Sequence, residues 1–216
     1  MIVTLSHQKG GVGKSTIAWN LAANLSRFIN TSIADLDNQR SLTVTNAIRR
    51  EQGMEPFEML HFENAGELAA HIEADGNDRL TIIDSGGFDS AFNRLAIVAS
   101  DLVITPVSDK PFDLMGLQKY EEVLKTLSDI QGETVKSHVV FNNLNPALKR
   151  FGDIVEFICM SEHYDLLTSI LRQRVDISNS VGVGKSIKEY RRFGKADQEF
   201  DELTVEVGGM LSIDLI

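Results

Sequence analysis

The sequence has little of the chemistry that builds disulfides or metal clusters. It contains one cysteine, Cys159, which excludes an internal disulfide and an all-cysteine metal site. The apolar neighbours of Cys159 favour a buried or half-buried structural thiol. The five histidines are scattered without the spacing that is typical of metal ligands. A cytoplasmic location is the default expectation for such a chain.

Long apolar runs and low-complexity segments are missing as well. No stretch approaches the ~18 apolar residues of a membrane-spanning helix, and the N-terminal residues predict a strand and a loop instead of a signal peptide. Because no linker or repeat divides the 216 residues, we expect one domain over residues 1–216. The net charge of −10 argues against a protein that binds nucleic acid over its whole surface.

Short apolar runs alternate with helical patterns along the chain. The predicted strands are Ile2–Leu5, Thr31–Ala34, Leu80–Ile83, Leu102–Thr105 and His138–Phe141. The predicted helices are Ser15–Phe28, Leu42–Gln52, Ala65–Ala74, Phe88–Ala99, Leu114–Ser128, Leu148–Ser161 and Lys195–Leu211, the last with a glycine pair at 208–209 that could end it early. Such alternation is typical of an α/β protein, a mostly parallel sheet with helices on both faces.

The most informative segment is a glycine-rich run between the first strand and the first helix. Glycines let successive backbone N–H groups turn inward, and the following helix adds its positive N-terminal end, so the run predicts a phosphate-binding loop. Lys14 would reach the β- and γ-phosphates of a nucleotide, and the Ser15 hydroxyl would bind Mg²⁺. The predicted nucleotide-binding residues are Gly10, Gly11, Val12, Gly13, Lys14, Ser15 and Thr16.

Two details set this loop apart from the standard Walker A motif. Gln8 stands where that motif has a glycine, and Lys9 is an additional lysine before the glycines. The sequence Gly-Val-Gly-Lys-Ser also occurs a second time, at residues 182–186. No predicted strand precedes the second copy, so we expect Gly182 and Gly184 only to form a turn before a basic helix.

Three aspartates complete the predicted site. Asp84 follows an apolar strand in the Walker B pattern and would hold Mg²⁺ through water. Asp35 and Asp37 follow the second strand; one would organise Mg²⁺ and its waters, and the other would orient the attacking water. The carboxyl ends of neighbouring parallel strands are where a nucleotide site needs such acids.

Together these segments resemble the ParA/MinD family of deviant-Walker ATPases. Residues 9–16 resemble its signature-lysine loop, residues 35–39 its second motif with Asn38 in place of proline, and residues 80–84 its Walker B strand. Residues 103–117 resemble its strand-five region. The later segments are most similar to small plasmid-partition ATPases. Because the loop begins at residue 9, we expect no DNA-reading domain in front of it.

The resemblance implies an ATP- and Mg²⁺-dependent ATPase that partitions DNA. ATP would close a sandwich homodimer in which Lys9 reaches the phosphates of the other subunit, and the implied catalytic residues are Lys9, Lys14, Asp35 and Asp37. The dimer would bind DNA without sequence preference and associate with the nucleoid. A centromere-binding adaptor protein would stimulate hydrolysis and release it. Asn142 either contacts adenine or forms a simple turn at the end of its strand.

A local excess of positive charge offers a surface for DNA despite the acidic chain. Residues 172–195 contain seven basic and two acidic residues, which gives a net charge of +5. The candidate DNA-binding residues are Arg172, Arg174, Lys185, Lys188, Arg191, Arg192 and Lys195. The last four of the basic positions, 188, 191, 192 and 195, have spacings that would place them on one helical face. Such point charges suit phosphate contacts and read no base sequence.

Several alternatives remain open at this point. A member of the same family could position another cargo, such as conjugation machinery or a microcompartment; a neighbouring gene for a centromere-binding protein would favour partition. A MinD-like membrane positioner is disfavoured because the C-terminal helix is acidic. A ligase similar to dethiobiotin synthetase would not need Lys9. A scaffold locked on its nucleotide is disfavoured by Asp37, and a single cysteine excludes a nitrogenase-type iron protein.

Overall fold

One parallel sheet organises the part of the chain that the computed structural model describes, residues 1–74, 78–87, 89–147 and 152–215. Its strands are β1 (Ile2–Leu5), β2 (Asn30–Asp35), β3 (Glu58–Leu60), β4 (Arg79–Asp84), β5 (Leu102–Val107), β6 (Ser137–Leu144) and β7 (Tyr164–Arg172). They lie in the order β3-β2-β4-β1-β5-β6-β7, and every neighbouring pair is parallel.

Helices connect the strands. They are α1 (Lys14–Leu25), α2 (Ser41–Glu51), α3 (Ala65–Ala74), α4 (Ala91–Val98), α5 (Pro111–Gln131), α6 (Gly152–Met160), α7 (Val175–Gly182), α8 (Ile187–Tyr190) and α9 (Lys195–Met210). No helix in the described ranges has the length and apolar character needed to cross a membrane.

The central strands are covered on both faces. In β5, Leu102 and Ile104 pack in one apolar cluster together with α1 and α9, whereas Val103 and Val107 pack in a second cluster with α5 and α6. Successive residues of a strand point to opposite faces, so the two clusters lie on opposite sides of the sheet. This arrangement confirms the predicted fold class and explains why the strands are continuous apolar runs.

The predicted strands are all present, and three elements were missed: β3, β7 and α7. The basic helix expected after the second glycine-rich copy is present as α8. β3 is a three-residue edge strand, and β7 pairs with β6 through register shifts, so neither has a clear sequence period. α5 begins earlier than predicted because a proline suits the first helical position. The predicted starts of two helices, at residues 88 and 148, lie outside the described residues.

Two local expectations were wrong. Cys159 is exposed, because α6 turns Ile154 and Ile158 inward and the next residue along the helix falls on the outer face. The glycine pair does not end α9, which continues to Met210. Gly208 instead provides room for packing, since a Cβ there would lie 2.7 Å from Leu215 Cδ1.

The second Gly-Val-Gly-Lys-Ser copy joins α7 to α8 and packs against α2. Gly184 has a φ of +69°, and a Cβ on it would lie 2.4 Å from the backbone nitrogen of Arg49. The Arg49 guanidinium donates a hydrogen bond to the Gly184 carbonyl at 3.2 Å. This copy therefore forms a turn that the backbone of α2 closely contacts.

We expect Gly184→Ala to lower the free energy of unfolding by at least about 2 kcal/mol, because the alanine would combine a left-handed φ with a backbone clash. Gly182→Ala is the matched control, since a Cβ there meets nothing within 4 Å. It should change stability by less than about 1 kcal/mol. Urea unfolding of both variants is the measurement, and equal midpoints would contradict the role of Gly184.

Candidate nucleotide site

The glycine-rich loop connects the end of β1 to the start of α1. Gly13, the last residue before α1, has a φ of +98°, which a residue with a side chain rarely adopts. Among the described residues, no side chain caps the N-terminus of α1. The first N–H groups of this helix therefore remain directed at the loop, where an anion can accept their hydrogen bonds.

Asn142, near the end of β6, supports the loop from the neighbouring strands. Its Nδ2 donates a hydrogen bond to the Val12 carbonyl at 2.7 Å. A Cβ on Gly13 would lie only 2.2 Å from the same Nδ2. Asn142 thus fixes the curvature of the loop, a role that sequence analysis missed, and its contact with adenine stays a prediction.

Lys14 is buried at the base of the loop, with 5% of its surface exposed. Its ammonium group donates to the Lys9 carbonyl at 3.3 Å. Burial lowers the pKa of Lys14, and the charges of Asp84 and Asp37 act against that effect. A buried ammonium group held this way is ready to receive an anionic ligand such as a phosphate.

The three predicted aspartates lie near one another because their strands are neighbours. Leu5 and Asp84 are partners in the β1–β4 register, and Asp35 and Asp84 are partners in the β2–β4 register. The ends of β1, β2 and β4 therefore meet at one edge of the sheet. Sequence analysis predicted this edge as the place for the acids.

Asp84 is fully buried, and neither of its carboxylate oxygens has a hydrogen-bond donor in suitable geometry among the described residues. The pKa of Asp84 is raised to about 7, mainly by burial and also by the charges of Asp35 and Asp37. The Ser15 hydroxyl and the Lys14 ammonium act in the opposite direction. A buried carboxylate beside a hydroxyl, with both oxygens lacking a hydrogen bond in suitable geometry among the described residues, is a fit for a hydrated cation.

Asp35 and Asp37 differ in how firmly they are held. Asp35 Oδ2 accepts hydrogen bonds from the N–H and the hydroxyl of Thr43, both at 2.9 Å, and its other oxygen is buried without a partner in the described part of the chain. Asp37 accepts from the Gln39 N–H at 2.9 Å and lines the open cavity. Asp37 is therefore better placed to contact a water molecule in that cavity.

The oxygen donors suit Mg²⁺, although they do not form a complete site alone. Within the described ranges, no three His, Cys, Asp or Glu side chains are grouped so that they could hold a metal ion. Mg²⁺ usually keeps several waters and binds through one or two protein oxygens together with phosphates. Ser15, Asp84 and Asp35 fit that mode of binding.

A cavity of about 570 Å³ opens above the loop. This volume is within the usual range for sites that bind small molecules. Besides the predicted loop residues and Asp37, its lining includes residues that sequence analysis missed: Ser41, Leu42, Thr45, Gly87 and Val181. Four of these come from α2 and α7, and no local sequence motif marks them.

We expect Asp84→Asn to stabilise the nucleotide-free protein by about 1–3 kcal/mol, because it removes a buried carboxylate whose desolvation outweighs the favourable contributions of Ser15 and Lys14. The same change should weaken Mg²⁺-dependent ATP binding at least tenfold. Asp78→Asn, on the exposed turn before β4, is the control and should change neither quantity. Thermal unfolding and titration with a fluorescent ATP analogue test both statements. A destabilised variant, or one that binds ATP normally with Mg²⁺, would contradict them.

Lys9 points away from the cavity above its own loop. Its ammonium group forms an ion pair with Asp113 at the start of α5, and 38% of its side chain is exposed. Asp113 also accepts hydrogen bonds from the N–H and the hydroxyl of Ser108. The Lys9 N–H donates to His7 Nδ1 at 2.8 Å, and burial lowers the pKa of His7 to about 4, so this ring is neutral. Sequence analysis assigned no role to Asp113.

Most of the basic residues of the predicted DNA surface are paired with acids of the chain itself, and their binding to DNA stays a prediction. Arg174 binds Glu199 with an N–O distance of 2.5 Å, and Arg172 lies 3.5 Å from the same carboxylate. Lys188 lies 3.1 Å from Asp197 and close to a second acid of α9. These charges are largely neutralised by acids that belong to α9.

The prediction that four of the basic residues share one helical face was wrong. α8 ends at Tyr190, so the basic positions 188, 191, 192 and 195 fall on two helices and the turn between them. Arg191 is paired with Asp176 at 2.8 Å. Of the seven basic residues predicted to bind DNA, only three have no ion-pair partner among the described residues: Lys185, Arg192 and Lys195.

Known proteins that are similar to this chain also contain a nucleotide-binding domain. The model of the CobQ/CobB/MinD/ParA nucleotide-binding domain matches residues 3–187. The virulence plasmid ParA family protein pGP5-D of Chlamydia trachomatis is 24% identical and covers 95% of this chain and 93% of its own. The chromosome-partitioning ATPase Soj of Thermus thermophilus is 29% identical and covers 86% of this chain and 78% of its own.

A solved structure has the same fold. A Cyanothece McdA variant in complex with ATP superposes with a TM-score of 0.73, at 17% identity, over 100% of this chain and 97% of its own.

Proposed function

The chain belongs to the CobQ/CobB/MinD/ParA family of nucleotide-binding domains, and from that premise we propose that it is an ATPase that partitions DNA. ATP binding closes a homodimer, the dimer binds DNA without sequence preference, and hydrolysis stimulated by an adaptor protein releases it. The observation that supports this proposal most strongly is the direction of Lys9. It is held against α5, partly exposed and away from its own cavity.

The residues of the cavity divide the work of ATP hydrolysis. Lys14 and the N–H groups at the start of α1 bind the phosphates. Ser15, Asp84 and Asp35 would hold Mg²⁺, and the bound ion would supply positive charge to the phosphates. Asp37, at the wall of the cavity, orients the attacking water. Positioning and charge neutralisation are the main contributions that phosphoryl transfer needs from a protein.

Lys9 acts in the second subunit. An ATP-bound dimer would let its ammonium group leave Asp113 and approach the phosphates of the facing protomer. The arriving positive charge would stabilise the negative charge of the transition state, as a residue supplied in trans does in related phosphoryl transfers. Hydrolysis then depends on dimerisation, because one protomer alone lacks this charge in its cavity.

DNA binding uses the three basic residues that form no ion pair with described residues, Lys185, Arg192 and Lys195, instead of all seven candidates. Three phosphate contacts give weak affinity in a single protomer, and a dimer presents six. Counterion release then predicts that log K falls against log salt with a slope of about −5. Binding that needs the dimer therefore needs ATP.

The test is binding to non-specific duplex DNA with ATP, with ADP and without nucleotide, across a salt series. We expect binding only with ATP and a slope near the value above. Arg79→Ala is the control variant. Arg79 is the first residue of β4 and forms an ion pair with Glu58, so it lies at the end of the strand opposite the glycine-rich loop, and its loss should leave the slope unchanged. Absence of DNA binding by the protein with bound ATP would remove the partition mechanism and favour a positioner that uses another surface.

The cargo is a separate question. The names of the two relatives include a virulence plasmid and a chromosome, and on these names we propose a DNA cargo. An adaptor encoded beside this protein that raises ATP turnover in the presence of DNA would support the partition role. Flotation of the ATP form with anionic vesicles would instead support a membrane positioner.

A further inference from the structure

We infer that the turn between α8 and α9 inserts an aromatic ring into a groove of duplex DNA, with Phe193 as the apolar contact. The inference rests on the proposed DNA binding and adds to it a contact that is not ionic. No sequence motif marks this residue, and the sequence analysis found only basic side chains in this region.

Phe193 combines high exposure with a strained backbone. Its side chain is 77% exposed, and its φ is +62°, in the left-handed region that residues with bulky side chains rarely adopt. The glycine that would tolerate this φ is the next residue, Gly194, whose φ is −72°. A Cβ on Gly194 would lie 3.1 Å from the Arg191 carbonyl, a tight contact that favours glycine there as well. Strain of this kind is often found at functional sites.

The turn is fixed by its backbone, and the ring is left free to make contacts. The Phe193 N–H donates to the buried Asp197 carboxylate at 2.7 Å. The Gly194 N–H donates to the Arg191 carbonyl at 3.2 Å, and Arg191 is held by Asp176. The Arg192 guanidinium lies 4.9 Å from the centroid of the ring, which is 77% exposed. A rigid turn therefore presents a ring that adds little to the packing of the protein.

The charges around the ring favour a polyanion. Arg192 and Lys195 stand on either side of Phe193 in the sequence, and neither has an ion-pair partner in the described part of the chain. The nearby acids at positions 176 and 197 already bind Arg191 and Lys188. Proteins that bind the minor groove of DNA combine such basic side chains with apolar side chains that insert between neighbouring base pairs. The exposed ring of Phe193, together with the basic side chains of Arg192 and Lys195, matches that chemistry.

An anionic membrane is the less favoured partner. Binding to a membrane surface needs a broad apolar face on an amphipathic helix, and here the apolar element is a single ring on a turn.

The experiment measures DNA affinity of the ATP-bound protein across a salt series for Phe193→Ala, Phe193→Gly, Arg192→Ala and Phe28→Ala. Phe28 is the matched control, because the Arg27 guanidinium lies 5.3 Å from its ring in the same type of pair at another site. Phe193→Ala should lower the affinity about tenfold at every salt concentration and leave the salt slope unchanged. Arg192→Ala should instead reduce the slope by about 1 per protomer. Phe28→Ala should bind as the wild type does.

Phe193→Gly separates function from stability. It should lose as much DNA affinity as Phe193→Ala while unfolding at a higher temperature than the wild type, because glycine relieves the strained φ. Wild-type affinity in both Phe193 variants, when the wild type binds DNA, would overturn the inference and leave the proposed function standing. A wild-type protein that has ATP bound and no DNA affinity would overturn both. Loss of binding to phosphatidylserine vesicles without loss of DNA binding would assign the ring to a membrane and overturn the inference.

Discussion

Lys9→Ala is expected to retain ATP binding and to lose adaptor-stimulated hydrolysis by about 10³-fold. The lysine does not line the cavity above its own loop, so its removal leaves the nucleotide contacts of that cavity in place. What would disappear is the charge that we propose Lys9 supplies to the phosphates of the facing protomer. The variant should therefore change turnover far more than affinity.

Lys119→Ala is the matched control for this prediction. Lys119 is an exposed lysine on α5 that lines the same small cleft as Lys9, so it reports any effect of losing positive charge there. Titration with a fluorescent ATP analogue measures affinity, and single-turnover hydrolysis with the adaptor and DNA measures turnover. Full stimulated turnover in Lys9→Ala would eliminate the role in trans. Equal losses in both variants would point to a general effect of charge.

Glu189→Ala should cost the largest loss of stability among the ion pairs, about 3 kcal/mol. Glu189 receives both terminal nitrogens of Arg49, at 2.7 and 2.8 Å, and Arg49 is only 7% exposed. Without this carboxylate, a buried guanidinium would remain without its counter-charge. Burial acts to raise the pKa of Glu189, but the hydrogen bonds from Arg49 hold it below its ordinary value.

Glu58→Ala serves as the control for the ion pair. Glu58 binds Arg79 at 2.8 Å with both side chains about half exposed, at 50% and 44%. Such surface pairs contribute roughly 0–1 kcal/mol. Urea unfolding should give a large decrease for Glu189→Ala and almost none for Glu58→Ala. Similar small values for the two variants would show that Arg49 is solvated or finds another partner when Glu189 is removed.

The fold class and the edge of the sheet that holds the nucleotide site followed from the sequence because their signals are local. The apolar runs of β1, β4 and β5 show strands buried on both faces. The glycine-rich loop between β1 and α1 places its lysine and serine by backbone geometry alone. Asp84 and Asp35 follow their strands directly, so the neighbouring order of parallel strands brings them together.

The missed elements had no comparable local signal. β3 is three residues long, and β7 pairs with shifts in register, so neither repeats a regular period. Val181 lines the cavity from α7, far along the chain from the loop that it faces. Cys159 has apolar neighbours, yet a helix rotates each successive residue to a new side, and its position on α6 left it in solvent.

The local sequence is enough to predict the glycine-rich loop, the acids beside it and the layered parallel sheet, because glycine conformation and hydrophobic period act between residues near in the chain. Which charges are paired depends on the packing of the helices on the sheet. Glu199 on α9 neutralises Arg174, Asp113 holds Lys9, and Glu189 pairs with Arg49 at a sequence separation of 140 residues. An ion pair depends on the distance between side chains in space, and that distance is fixed only when the helices pack on the sheet.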